Sequence, residues 1–345
     1  MAGLGFTAVA VLLTSCSLVG EDDAPSSAAS EVVLVTHDSF VISDELIAQF
    51  KQESGFDLKI KASGDAGALT NKLVLTKDNP TGDVAFGIDN TFGSRALDGG
   101  VLAAYEAPLP TGADQYLLAG DDDQRLTPID NGNVCVNIDE SWFAEKDMAP
   151  PADLEDLTDP AYADLFVTPG ATTSSPGLAF LLATIAEYGD GWDDYWTRLI
   201  DNGTLVTEGW TDAYQVNFTQ GGGKGKRPIV TSYDSSPAFT VDGEGASSTS
   251  ALESTCFLQV EYAGVLTGAA NPDGAQALID FMLGPDFQAA LPESMYVFPV
   301  DATAPLPQDW ARHATRPAEP LALDPAEIAA NRDQWLREWT DIVSR

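Results

Sequence analysis

The residues best suited to chemistry are carboxylates and aromatic rings that follow predicted strands. The set comprises four acids and four aromatic residues: Asp38, Asp65, Asp89, Asp130, Phe40, Trp210, Tyr233 and Tyr296. Together they suit an organic cation, because carboxylates attract positive charge and each cation–π contact contributes about 0.5–2 kcal/mol. One such Asp alone is more often a helix cap or a solvated charge, so the prediction depends on the whole set.

Two strand ends within residues 204–239 carry the clearest signal. Short apolar strands at 205–207 and 229–231 are each followed by an aromatic residue in polar surroundings, Trp210 and Tyr233. Open α/β sheets bind ligands beyond the carboxyl ends of their strands, which is where both rings are expected. A single large aromatic residue is usually part of the core. Two of them at equivalent strand ends favour a binding site.

A third strand end, at 166–169, leads into a serine-rich helix start. Ser175 is predicted to be the N-cap, with Pro176 at the first helical position. Free backbone N–H groups at such a helix start bind anions, and phosphate is the natural candidate. A plain capping motif is the alternative.

Catalytic constellations are missing from the sequence. The only histidines are His37 and His313, which makes a hydrolytic triad hard to build. There is no Gly-x-Ser-x-Gly motif and no metal-ligand spacing of His or Cys. The sequence therefore predicts a binding protein rather than an enzyme, with no cofactor.

The elements that must position these residues begin with a β-α-β-α-β order. Strands are predicted at 32–35, 56–62 and 83–88, with helices that begin at Ser43 and at Asp65 or Gly67. This order predicts an α/β protein with a parallel sheet and right-handed crossovers. The length of 345 residues suggests two domains, each large enough for its own core.

The charge of the chain excludes one class of partner. Asp and Glu number 53 against 17 Lys and Arg, which gives a net charge of −36. Nucleic acid is disfavoured, because phosphate contacts need clustered cations. The acidity suits a solvated surface in a saline medium or the attraction of a cationic solute.

The first residues indicate export. An apolar run at 9–13 is too short to span a bilayer and is typical of a signal peptide, predicted here at residues 1–15. The tetrad 13–16 resembles a bacterial lipobox and implies lipidation of Cys16, followed by a disordered tether through residue 30. An ordinary cleaved signal is the alternative. Residues 1–6 carry no Lys or Arg, so the true start of the protein is expected upstream of Met1.

Two cysteines remain once Cys16 is set aside. Cys135 and Cys256 both lie in apolar, strand-like segments of an exported chain. They are candidates for a disulfide that closes a long loop. Two separate buried thiols are the alternative.

The chain after residue 30 resembles the thiamine-binding subunit of bacterial thiamine ABC transporters. The similar stretches are residues 37–40, 83–90, 175–178, 209–214, 232–238, 258–261 and 324–345. The resemblance implies a two-lobed type II periplasmic-binding-protein fold with mostly parallel sheets. It implies one lobe at 31–134 and 256–310 and another at 135–255 and 311–345, with hinge strands near Cys135 and Cys256.

The resemblance also implies site residues, carried over by position. Asp65 and Ala66 match an Asp-Gly pair, and Ser174 and Ser175 match a Ser-Thr pair of the family. Trp210 matches its Trp, and Tyr233, Asp234, Ser235 and Ser236 match its Tyr-Thr-Thr-Ser segment. The implied roles are stacking for Trp210 and Tyr233, charge balance or aminopyrimidine binding for Asp65, and hydroxyl or phosphate binding for the serines.

Three segments depart from the family pattern. Its Tyr-Asp-Ser-Phe reads His37 to Phe40 here, with Asp38 kept, its Asp-Tyr-Gly-Tyr reads Asp130 to Asn133, and a Trp falls on Tyr296. With fewer aromatic faces, another organic cation such as a polyamine is an open alternative.

The function implied by the resemblance is capture of thiamine or its phosphates and delivery to a membrane permease. The protein is expected to be a monomer that is anchored by lipid to the outer face of the membrane. A periplasmic protein is the alternative. Ferric-ion capture is less favoured because no Tyr-Tyr pair occurs. An exported thiamine-processing enzyme would need Cys135 or Cys256 as its nucleophile, and both look structural.

Overall fold

The computed structural model describes residue 1 and residues 30–345. The predicted signal peptide, Cys16 and nearly all of the predicted tether lie outside the described residues. Within the described part, no helix combines the length and the apolar character that crossing a membrane requires.

One continuous mixed sheet organises the described chain. Its strands run β1 Glu31–Thr36, β2 Asp57–Ala62, β3 Val84–Asp89, β4 Thr127–Asp139, β5 Phe166–Pro169, β6 Leu205–Thr207, β7 Ile229–Tyr233, β8 Thr249–Val265 and β9 Phe298–Pro299. Their order across the sheet is β2-β1-β3-β8-β4-β7-β5-β6, and β9 pairs with β4.

Ten helices flank this sheet in the described residues. They are α1 Asp44–Ser54, α2 Ala66–Leu75, α3 Gly93–Gly99, α4 Glu140–Glu145, α5 Ser175–Tyr188, α6 Trp192–Asp201, α7 Pro272–Met282, α8 Pro285–Met295, α9 Gln308–His313 and α10 Pro325–Val343. A π-helical turn at Asp212–Asn217 and a 3-10 turn at Ser236–Phe239 follow β6 and β7.

The sheet has two parallel ends and an antiparallel centre. At one end, here called the β1 side, β1 pairs in parallel with β2 and β3. At the other, the β5 side, β5 pairs in parallel with β6 and β7. Between them β4 and β8 pair antiparallel over most of their length. The predicted α/β class and the parallel pairing of the first three strands are confirmed, and β4 and β8 are the two strands that connect the sides.

Local sequence explains why the elements that carry the cleft begin where they do. Ser43 caps α1, since its Oγ accepts from Leu46 N at 3.2 Å, and Gly55 ends that helix at φ 80°. Asp65 caps α2, as predicted. The continuous apolar residues of β1 and β3 are buried between helix layers, as parallel strands require.

The remaining helices pack on one side or the other. On the β1 side, Phe281 of α7 packs edge-on against Phe50 of α1 at 5.5 Å. On the β5 side, Trp339 of α10 meets Trp196 of α6 edge-on at 5.5 Å. Trp339 of α10 is therefore a packing residue. The exact lobe boundaries stay a prediction.

Cys135 and Cys256 form a disulfide between β4 and β8, with their Cα atoms 4.1 Å apart. The two cysteines are 121 residues apart in sequence. The disulfide therefore joins the two connecting strands covalently and closes a loop that contains most of the β5 side.

We expect the Cys135→Ala, Cys256→Ala double variant to lose about 2–5 kcal/mol of unfolding free energy, because a long loop regains its entropy in the unfolded chain. Denaturant titration measures the loss. Reductant should bring the wild type to the level of the double variant and leave the double variant unchanged. If neither the double substitution nor reductant lowered the denaturant concentration at the unfolding midpoint, the disulfide would add no stability.

Candidate ligand-binding cleft

A narrow cleft opens between the two sides of the sheet, at the carboxyl ends of the parallel strands. Its cavity has a volume of about 50 Å³. Residues from both sides form its walls: His37, Ser39, Val41, Asp65, Ser175, Pro176, Trp210, Gln215, Tyr233, Glu261, Ser294, Met295 and Tyr296. Five of them, Asp65, Ser175, Trp210, Tyr233 and Tyr296, belong to the site expected from the sequence.

Asp65 bridges the two walls. Its Oδ1 accepts from Ala66 N at 2.6 Å, within its own helix start, and from Ser175 N at 3.4 Å across the cleft. Its Oδ2 accepts from Trp210 N at 2.9 Å, also across the cleft. Burial raises the pKa of this carboxyl, and the hydrogen bond from Trp210 N opposes that rise. The start of α5, where an anion was expected, is therefore already occupied by a carboxylate of the protein.

Trp210 lies in a group of aromatic rings. Tyr214 stacks on it at 5.1 Å with an interplanar angle of 9°, so one indole face is already covered. Tyr233 lies at 6.2 Å and Tyr296 at 5.5 Å from the same ring. The indole N–H donates to Ser232 Oγ at 3.0 Å, which fixes the ring plane. Trp210, Tyr233 and Tyr296 form the aromatic wall of the cleft.

The positions of Tyr233 and Tyr296 follow from their local backbone. Gly132 makes room for Tyr233, since a Cβ on Gly132 would lie 3.2 Å from the Tyr233 ring. The Tyr233 hydroxyl accepts from Gln259 Nε2 at 3.1 Å. Tyr296 ends α8 in a left-handed conformation, φ 64°, and stacks on Phe239 at 3.4 Å. It brings a ring of the β1 side against Trp210 of the β5 side.

Most of the predicted polar residues are engaged within the protein. Ser174, rather than Ser175 as predicted, is the N-cap of α5, because it is the residue in extended conformation and its Oγ faces Gly177 N at 3.5 Å. Ser236 Oγ pairs with Ser232 Oγ at 2.8 Å, and Ser235 Oγ donates to the backbone carbonyl of Tyr296. These serines hold the wall together.

Three other predicted residues lie beside the cavity rather than on its surface. Asp234 is buried and accepts from Asn133 Nδ2 at 2.7 Å, and burial raises its pKa to about 6. Ala66 is buried behind Asp65. Asp38 is exposed at the cleft margin, while its neighbours His37 and Ser39 line the cavity.

A row of three buried acids lies next to the cleft, and its middle member, Glu261, lines the cavity. Glu261 of β8 is directly opposite Asp89 of β3 and also directly opposite Asp130 of β4 in the two antiparallel ladders. All three residues are at most 4% exposed. Burial raises the pKa of Glu261 well above its ordinary value, and the neighbouring Asp130 and Asp89 raise it further. Burial likewise raises the pKa of Asp130 and of Asp89.

His37 is the imidazole nearest to this row in the described residues. Its Nε2 lies 3.4 Å from Glu261 Oε1, and its Nδ1 is 2.9 Å from Ser39 Oγ. Burial lowers the pKa of His37 to about 4. Because His37 is then neutral near pH 7, it does not neutralise Glu261. Gly87, at φ 96°, is required here because a Cβ would overlap the His37 ring.

Sequence reasoning missed Glu261, Gln259 and Tyr214 as site residues. Gln259 and Glu261 alternate with apolar residues in the buried part of β8, and both are almost fully buried. Polar residues at alternate positions of a buried strand were a signal that could have revealed them. Asp89 and Asp130 were expected among the strand-end acids, and the structure brings them together.

Comparisons with known proteins are consistent with this geometry. Residues 79–331 match the family model of bacterial extracellular solute-binding proteins. The thiamine-binding periplasmic protein of Brucella suis biovar 1 (strain 1330) is 33% identical over 93% of this chain and 95% of its own length. The thiamine-binding periplasmic protein of Escherichia coli (strain K12) is 30% identical over 93% of this chain and 96% of its own length.

Solved structures agree on the fold. A periplasmic thiamin binding protein matches with a TM-score of 0.79 and 30% identity, over 91% of this chain and 96% of that one. The periplasmic binding protein AfuA from Actinobacillus pleuropneumoniae, with fructose-6-phosphate bound, matches in fold alone. Its TM-score is 0.75 and its sequence identity 18%, over 91% of this chain and 98% of AfuA. The expected two-lobed solute-binding fold is confirmed.

We expect His37 to make stability depend on pH. Its pKa is lowered from 6.5 to about 4, so the folded protein excludes a proton that the unfolded chain binds. The contribution of neutral His37 is present above pH 6.5 and is lost as pH falls toward 4. The stability advantage of wild type over His37→Gln should therefore shrink by about 3 kcal/mol between pH 7 and pH 4.

Denaturant titration of both proteins across this range measures the difference, and His313→Gln controls for loss of an imidazole elsewhere. A difference that stays constant with pH would mean that folding does not exclude the proton from His37.

Proposed function

The chain belongs to the family of bacterial extracellular solute-binding proteins, and from that premise we propose that it captures thiamine or its phosphates and delivers it to an ABC permease. Relatives at 30–33% identity that carry the name thiamine-binding periplasmic protein support the ligand. The observation that carries the proposal is the pairing of the aromatic wall with the acid row. A flat, positively charged heterocycle meets both requirements.

Thiamine has two aromatic rings, one of which, the thiazolium, carries a permanent positive charge. In the proposed complex the two rings of thiamine stack against the parts of Trp210, Tyr233 and Tyr296 that line the cleft. Glu261 supplies the negative charge. Such stacked and desolvated contacts contribute about 1–2 kcal/mol each. Asp65 lines the same cavity and also accepts from Ser175 N and Trp210 N across the cleft, so it joins the two walls in addition to the charge balance or aminopyrimidine binding expected from the sequence.

The electrostatics favour unphosphorylated thiamine. Asp65 occupies the start of α5, and the row of Asp89, Asp130 and Glu261 lies next to the cavity. A phosphate would bring two further negative charges into this surrounding. We therefore rank thiamine above its monophosphate and the monophosphate above the diphosphate.

Alternative ligands lack one part of this match. A polyamine would satisfy the acids but would use the aromatic wall less well. Ferric iron needs a group of ligands, and within residues 30–345 no cluster of three or more His, Cys, Asp or Glu is arranged to hold a metal ion. A thiamine-processing enzyme would need a free thiol, whereas Cys135 and Cys256 are bonded to each other.

The proposal includes export and a single-chain binding unit. The lipobox-like residues 13–16 support anchoring through Cys16 to the outer face of the membrane, with a periplasmic form as the alternative. The family description as extracellular supports the export. The proposal further includes a monomer that meets its permease with the ligand enclosed.

We expect Trp210→Ala to weaken thiamine binding more than ten-fold, because a stacking face is lost from a buried wall. Trp210→Phe should lose less, since it keeps an aromatic face. Isothermal titration calorimetry with thiamine, both phosphates and spermidine measures the affinities, and thermal melts verify folding. Trp142→Ala, outside the cleft on α4, is the matched control.

Heat with spermidine but none with thiamine or its phosphates would overturn the ligand assignment. Thiamine binding that Trp210→Ala leaves unchanged would mean that the ligand does not lie against the aromatic wall.

A further inference from the structure

The acid row is a product of strand register rather than of chance proximity. Glu261 is the common partner of Asp89 and Asp130 on adjacent strands β3, β8 and β4. Side chains directly opposite each other in antiparallel strands project to the same face, with Cβ atoms about 4.5–5.5 Å apart. Three carboxyl groups therefore stand side by side, and the sheet holds them there.

No basic side chain neutralises this row. In residues 30–345, no Lys or Arg lies within ion-pair distance of Asp89, Asp130 or Glu261. The contact with His37 is not an ion pair near neutral pH, because that imidazole is uncharged. Three adjacent buried carboxylates without a counter-charge would be strongly destabilising.

The two ends of the row differ in their supply of donors. Asp89 accepts from Thr91 Oγ1 at 2.8 Å and from Phe92 N at 2.9 Å, so its charge is supported by the protein. In the described structure no backbone or neutral side-chain donor reaches either oxygen of fully buried Asp130, and its carboxyl interacts with that of Glu261. A hydrogen bond between these two carboxyl groups requires that one of them carry a proton.

The cavity gives access to the middle member of the row. Glu261 lines the cleft together with Trp210, Tyr233 and Tyr296 of the aromatic wall. We propose that Glu261, flanked by Asp89 and Asp130, is the specificity-determining counter-charge for the cationic ring of the ligand. We propose further that the empty row holds a proton which the bound cation displaces into solvent. This inference rests on the proposed function and adds to it a charge-selection mechanism.

Binding of one positively charged ligand releases one proton from the acid row, so the charge of the row and its occupant balances. In the empty cleft a proton on the Glu261 and Asp130 pair removes one negative charge from the buried row. A cation over Glu261 stabilises the ionised carboxylate, so the O–H bond breaks and the proton leaves to buffer. The thiazolium charge is permanent, so the ligand ring supplies no compensating proton.

The other titratable groups around Glu261 favour the same outcome. Asp65 at the start of α2 adds negative charge, and burial raises its pKa. Tyr233 on β7 is neutral, because burial raises its pKa well above the ordinary value. His37 after β1 is neutral. A proton in the empty cleft therefore resides on the acids, and affinity for the cation should rise with pH.

Calorimetric titration with thiamine in buffers of different ionisation enthalpy counts the protons released. For the wild type we expect release of up to one proton per thiamine, with affinity that rises with pH by at most about ten-fold per pH unit. An uncharged analogue, with a neutral ring in place of the thiazolium, should bind more weakly and release none.

Two variants separate the roles of the acids. Glu261→Gln should lower affinity for thiamine roughly thirty-fold or more, abolish proton release and bind the neutral analogue as well as wild type does. Asp130→Asn should release fewer protons and shift the pH dependence to lower pH, because one like charge is gone. Glu253→Gln, at an exposed site on the same strand β8, is the matched control and should behave as wild type.

Different results would contradict the role of the acid row and the proposed thiamine-binding function. Thiamine binding without proton release, with Glu261→Gln as tight as wild type, would overturn the role of the row and leave the proposed function standing. Absence of thiamine binding by a folded wild-type protein would overturn both.

Discussion

A carboxyl group costs free energy to ionise away from water, and at the centre of this sheet three of them lie side by side, with no Lys or Arg of residues 30–345 within ion-pair distance. The register of β3, β8 and β4 enforces that arrangement. Burying carboxylates in this way is unfavourable unless a cation or shared protons offset the charge. The cleft above Glu261 is where such a cation can enter. The cost of these buried acids is thus the constraint from which the character of the site follows.

The two walls of the cleft are brought together around this row by a small number of contacts. Asp65 reaches from the β1 side to the backbone of Trp210 on the β5 side. Tyr296 brings a ring from the β1 side to the same Trp210. Since a ligand favours the state in which it makes more contacts, these bridges give a physical basis for closure on a bound solute. The disulfide between β4 and β8 joins the connecting strands at the point where their register shifts.

Local patterns were enough to predict much of the fold. The apolar run of β1, the Ser43 and Asp65 caps and the parallel start of the sheet follow from neighbouring residues, and Trp210 and Tyr233 could be expected at strand ends. Ser174 displaced Ser175 as the α5 cap, because neighbouring hydroxyls can each cap a helix and only backbone conformation decides. The alternation of Gln259 and Glu261 with apolar residues could have indicated that Glu261 is buried, but its neighbours Asp89 and Asp130 lie more than 100 residues away, and local sequence does not identify them.

The central claim is that an organic cation lies between the aromatic wall and Glu261. A crystal structure of the protein with thiamine tests it most directly. The account predicts both rings between Trp210, Tyr233 and Tyr296, with a positively charged or donor atom within about 4 Å of the Glu261 carboxylate. Thiamine bound outside the cleft, or inside it with its charge turned away from Glu261, would contradict the account.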